Sequence, residues 1–273
     1  MTGGRWLELA PGVYARRYTE LDLTVGLVVG DRECLVIDTR GDHVQGRELA
    51  GAVRAVTPLP WQVALTHAHF DHSFGTVAFL PCPVWAHPGC REELSIDGDR
   101  ARAKWAGTYR EQGRQDIADA ITATRIALPD RMVTGRASVD LGGRTVTLWH
   151  PGAGHTRHDL VVHVPDTGTV FAGDLLERGE DTGDYTEFSF NDTTSLADWP
   201  VSLDAVLALG PVTVVPGHGD PAGPELLVRQ RDTLARLAAL RADVTAGRLT
   251  EDEAVAAAPL PAAAARAAFA TAR

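Results

Sequence analysis

The stretch Thr66-His67-Ala68-His69-Phe70-Asp71-His72 places three histidines and an aspartate within six residues, directly after the segment Gln62 to Leu65. Neutral imidazole nitrogens and carboxylate oxygens are the ligand types that zinc prefers. If Gln62 to Leu65 is a buried strand, His67 and His69 leave its end on one face, while Asp71 and His72 lie past the bend. One short loop can then present ligands to two neighbouring metal ions.

Three further runs follow in order: Pro151-Gly152-Ala153-Gly154-His155-Thr156, Phe171-Ala172-Gly173-Asp174 and Val215-Pro216-Gly217-His218-Gly219. With the first loop they resemble the ligand motifs of the metallo-β-lactamase fold superfamily, and the resemblance spans Asp38 to His218, about two thirds of the chain. It implies an α/β fold, a four-layer αββα sandwich with a helical insertion near the active-site cleft. It also implies that His67, His69 and His155 bind one metal ion, that Asp71, His72 and His218 bind the other, and that Asp174 bridges them. Two Zn2+ ions are expected, with iron or manganese as alternatives. Asp38 is expected to support the ligands from behind, and Asp159, four residues past His155, to fix the tautomer of a ligating imidazole.

The same resemblance points to a hydrolase that cleaves a thioester, ester, lactone or amide through a metal-bridging hydroxide, with Asp71 orienting the nucleophile and moving its proton. An iron-dependent oxidoreductase of the persulfide dioxygenase or flavodiiron kind is the alternative, and a β-lactam hydrolase is another. Dedicated β-lactamases of the superfamily usually carry a cysteine where this chain has Asp174, which favours the glyoxalase II and lactonase-like subgroup. Glyoxalase II binds an anionic thioester, whereas the stretch after Asp174 holds Glu177, Glu180, Asp181, Asp184 and Glu187 against the single Arg178. Acyl-homoserine-lactone lactonases place a tyrosine where Glu177 stands.

Composition narrows the partners. With 273 residues, 44% hydrophobic and 23% charged, the chain reads as one α/β domain over 1–273. A net charge of −10 without a basic stripe argues against nucleic acid, leaving a small-molecule substrate as the expected partner. No leader-like opening and no long apolar run is present, so no membrane association and a cytoplasmic location are expected. The oligomeric state is open. Cys34, Cys82 and Cys90 form no disulfide or zinc-knuckle spacing and read as reduced thiols; His87 between the last two reads as the start of a helix at Pro88 rather than a ligand.

Short strands and turns are expected over residues 5–38, a helix over 46–56, and a short helix after His72. Residues 89–128 are charged and alanine-rich with helical spacing, predicting one or two helices laid outside the sheet. Trp105 and Tyr109 there are candidate substrate contacts. A hairpin at Gly142-Gly143 opens a second set of strands, and His158 is a candidate cleft residue. The irregular residues 177–199 supply Tyr185 and Phe188 as further candidate substrate contacts. C-terminal helices are expected over 225–273, with a capping box at Thr250-Glu251-Asp252-Glu253 and a weakly specified alanine-rich end.

Overall fold

A computed structural model describes residues 3–179, 182–191 and 195–271. The chain starts with a meander, β1 (Arg5–Ala10), β2 (Val13–Arg17), β3 (Thr24–Val29) and β4 (Cys34–Ile37), each antiparallel to the last. Helix α1 (His43–Val56) is capped by Asp42, whose carboxylate accepts from the amides of Val44 and Gln45, and it carries the chain over to β5 (Trp61–Ala64), parallel to β4. The ligand loop holds α2 (Phe70–Ser73), and β6 (Val84–Ala86) follows. The insertion is α3 (Pro88–Ile96), α4 (Gly98–Glu111) and α5 (Gln115–Ala123), three helices where the spacing predicts one or two. Turns at Asp97 and Gly113 break what reads as continuous helical periodicity. A two-residue strand, β7 (Arg131–Met132), completes the first sheet beyond β6; it is too short to leave a periodic signal.

The second sheet holds β8 (Arg136–Asp140), β9 (Thr145–Trp149), β10 (Val161–Val164), β11 (Thr169–Glu177) and β12 (Thr213–His218) in the order β12-β11-β10-β9-β8. Helix α6 (Trp199–Leu207) connects β11 to β12, and α7 (Pro224–Thr245), α8 (Glu251–Ala256) and α9 (Ala262–Thr271) finish the chain. The Thr250 capping box forms as predicted. The alanine-rich end is better specified than its composition suggests. Ala264, Ala265, Ala268 and Phe269 are buried, because small side chains let α9 approach its neighbours closely.

Strand alternation generates the layers. In β4, Leu35 and Ile37 face the second sheet while Cys34 and Val36 face α1; in β11, Phe171 faces the first sheet while Val170 and Ala172 face the C-terminal helices. Three apolar clusters result, one between the sheets and one under each helical layer, which is the αββα sandwich. No helix among the described residues is long and apolar enough to cross a membrane. The ligand motifs gather at the edge where β5 and β11–β12 end.

Candidate metal centre

The histidine rings are oriented before any metal is considered. Asp38 sits at φ 61°, an unfavourable conformation for a residue with a Cβ, and its carboxylate accepts from Thr66 N, Thr66 Oγ1 and His72 Nδ1, each at 2.8 Å. Having donated to Asp38, Thr66 Oγ1 accepts from His67 Nδ1 at 3.0 Å. His155 Nδ1 donates to the Ser189 carbonyl at 3.0 Å and His218 Nδ1 to the Leu21 carbonyl at 2.7 Å. Four rings therefore present Nε2 to the cleft. His69 is turned the other way, its Nδ1 lying 3.0 Å from His155 Nε2.

These atoms form two groups whose ligand atoms lie within 4.8 Å of one another: His67, His69, His155 and Asp174, and Asp71, His72 and His218. Asp174 faces both. Its Oδ2 is 3.5 Å from His67 Nε2 and His155 Nε2 and 3.4 Å from His218 Nε2, and its Oδ1 is 3.2 Å from His72 Nε2. Asp71 Oδ2 lies 3.5 Å from His218 Nε2 and 3.7 Å from His72 Nε2. Two glycines let the backbone close around this carboxylate. Gly173 adopts φ 54° against Thr66, and a Cβ at Gly217 would overlap Asp174 Oδ1.

Buried His67 Nε2 and Asp174 Oδ1 make no hydrogen bond, although burial of a polar atom without a partner is costly. A cation shared by these lone pairs satisfies them, so the residues fit a metal ion. The electrostatics agree. Burial lowers the pKa of His67 well below the usual range and that of His155 to about 4, keeping both neutral as ligands must be. For His218, burial opposes charge, but Asp174 and Asp71 raise its pKa to about 10; the same carboxylates, with Asp38, raise His72. Negative charge thus accumulates where the second cation would sit.

The Metallo-beta-lactamase superfamily matches residues 19–218, the span that contains all seven residues of the two groups. The chain belongs to that superfamily. Among curated relatives, it is 31% identical to a metallo-beta-lactamase type 2 of Bacteroides fragilis over 44% of this chain, a match covering about half of that enzyme (50%). It is 27% identical to the human acyl-coenzyme A thioesterase MBLAC2, over 75% of this chain and 76% of that one. Among solved structures, the metallo-beta-lactamase FIM-1 from Pseudomonas aeruginosa superposes with a TM-score of 0.63 at 20% identity, covering 87% of this chain and 95% of that one.

Within this superfamily member, several residues expected at the cleft stand elsewhere. Tyr185 is wholly buried among Phe190 and Trp199, and its hydroxyl donates to the Leu175 carbonyl at 2.7 Å. Tyr109 is buried too, its hydroxyl donating to Glu20 at 2.8 Å. Trp105 stacks on Phe70 at 4.4 Å and 24°, beside the ligand loop. His158 is buried, accepting from Ala68 N at 3.2 Å, and burial beside His69 lowers its pKa to about 3. Asp159 accepts from Thr156 N and Oγ1 at 2.9 and 2.7 Å and closes the His155 loop on itself. Phe188 alone of the aromatic candidates is open, 70% exposed.

Leu21 and Ser189, which orient His218 and His155, carry no signal in sequence, because they act through main-chain carbonyls. Glu177 reads as one of several loop acids, yet it ends β11, is buried, and accepts from Ser189 Oγ at 2.7 Å; burial and then Asp174 raise its pKa to about 7. Glu180 and Asp181 of the same acidic run lie outside the described residues.

Proposed function

We propose that this protein is a hydrolase that holds two zinc ions and cleaves a thioester or ester of a small molecule whose acyl part is apolar. One observation carries the dinuclear reading: a single carboxylate, Asp174, faces the imidazole nitrogens of both ligand groups at 3.2 to 3.5 Å. When bound, the two ions would supply Lewis acidity, ionising water near neutral pH and polarising the carbonyl. Asp71, which faces His72 and His218 from one side, would orient that water and hold its proton. With metal bound the five histidines would be neutral donors, so the charge that balances the cations would come from Asp71 and Asp174.

The substrate class rests on the rim. Phe188 is 70% exposed next to Ser189, which orients His155, and Leu21 is 40% exposed at the carbonyl that orients His218. Exposed apolar side chains on both sides of a polar centre suit an apolar acyl group. The likeness to a human acyl-coenzyme A thioesterase supports the same class. Free cysteines at Cys34, Cys82 and Cys90 support a reducing, cytoplasmic setting.

Zinc-loaded protein should be assayed on acetyl to dodecanoyl thioesters and esters, with lactones and β-lactams alongside. The expected result is kcat/KM rising with acyl length on the thioesters. Preferential hydrolysis of β-lactams, or oxygen consumption by iron-loaded protein in place of hydrolysis, would overturn the assignment.

A further inference from the structure

The carbonyl that orients His218 belongs to a strained turn. Leu21 and Asp22 adopt φ 58° and 53° in succession, left-handed conformations that residues with a Cβ avoid, so the turn must be held from outside. Three contacts hold it. Arg17 pairs with Asp22, Gly219 N donates to the Asp22 carbonyl at 2.8 Å, and Glu20 is gripped by the insertion. In that grip Tyr109 Oη of α4 donates to Glu20 Oε1 at 2.8 Å, and the Arg114 guanidinium, just before α5, donates to Oε2 at 2.6 Å.

The insertion is itself seated on the ligand loop. Trp105 and Tyr109, one turn apart on α4, both pack on Phe70, which stands between His69 and Asp71. The layout is directional: Phe70 places α4, α4 and Arg114 hold Glu20, Glu20 fixes the turn, and Leu21 O fixes the His218 ring. His218 belongs with Asp71 and His72, whereas His67 and His155 are oriented by Thr66 Oγ1 and the Ser189 carbonyl.

We propose that the helical insertion sets the affinity of the second metal ion, with Tyr109, Arg114 and Glu20 as positioning residues acting through the Leu21 carbonyl on His218. The inference rests on the two-ion reading above. It assigns to the insertion a task at the metal centre that is separate from contact with substrate.

The test is a Co2+ titration of metal-free full-length protein, followed by visible absorption, for the parent, Glu20→Ala, Tyr109→Phe and Glu20→Gln, with folding verified by circular dichroism. Glu20→Ala and Tyr109→Phe should weaken the second ion by roughly 10- to 100-fold, as loss of an outer partner of a metal ligand does, and leave the first within about twofold. Glu20→Gln should recover part of the loss, because its amide oxygen still accepts from Tyr109. Parent-like binding of both ions in Glu20→Ala and Tyr109→Phe, or equal weakening of both ions, would overturn the proposal. A parent that binds only one ion would instead remove the reading on which it stands.

Discussion

Four imidazole nitrogens lie within 3.5 Å of the Asp174 carboxylate, which Gly217 lets in by having no Cβ to obstruct it. Asp174→Ala should therefore leave the backbone intact, lose the second ion and lower kcat/KM by at least about 100-fold; elemental analysis with steady-state kinetics checks both. Tyr185 gives the opposite case. Its hydroxyl serves the Leu175 carbonyl, which Trp199 Nε1 also serves at 3.2 Å, so Tyr185→Phe should cost about 1 kcal/mol of stability and leave KM unchanged. Phe188→Ala should do the reverse, reducing kcat/KM for long-chain substrates by the equivalent of about 1–3 kcal/mol with no loss of metal or stability. Denaturant titrations beside kinetics on the two variants separate these roles.

At the scale of elements, α3 begins at His87, whose Nδ1 accepts from Gly89 N at 3.1 Å. An accepting Nδ1 requires the neutral ring, and partial burial together with His150, 4.4 Å away ring to ring, lowers the His87 pKa to about 4. The folded chain then binds fewer protons at His87 than the unfolded chain, whose histidine titrates near 6.5. The stabilisation is complete above pH 6.5 and is lost as pH falls towards 4. His87→Asn keeps a capping side chain without a titrating ring, so its Tm should fall less than the parent's between pH 6.5 and 4. Equal slopes for the two proteins would rule the cap out as the origin.

Across the whole molecule, the C-terminal helix is tied to the metal centre. α9 packs against residues 187–190, the segment in which Ser189 receives His155 Nδ1, and Phe269 is buried in the same cluster as Tyr185, Phe190 and Trp199. Phe269→Ala should cost about 3–5 kcal/mol in chemical denaturation. It should also weaken the first ion more than the second, because His155 belongs to the first group. This is the inverse of the pattern expected on releasing Glu20, and a metal titration on the variant distinguishes them.

What local chemistry could encode was legible in the residues. His67, His69, Asp71 and His72 announce themselves by type and spacing, His155, Asp174 and His218 by their resemblance to the superfamily's motifs, the unbroken apolar run Cys34 to Ile37 announces a strand, and Thr250 with Glu253 announces a helix start. Other features depend on which distant segments meet. An aromatic residue in a variable stretch is apolar whether it lines a cleft or fills a core, so Tyr109 and Tyr185 could not be placed until α4 and the second helical layer were packed. A main-chain carbonyl is the same for every residue, and the one that orients His218 comes from 197 residues earlier in the chain. Residue type and motif order thus pointed to the candidate ligand set and to the apolar strands, while the folded chain alone decided which carbonyls aim the rings, because that pairing follows from packing between segments remote in sequence.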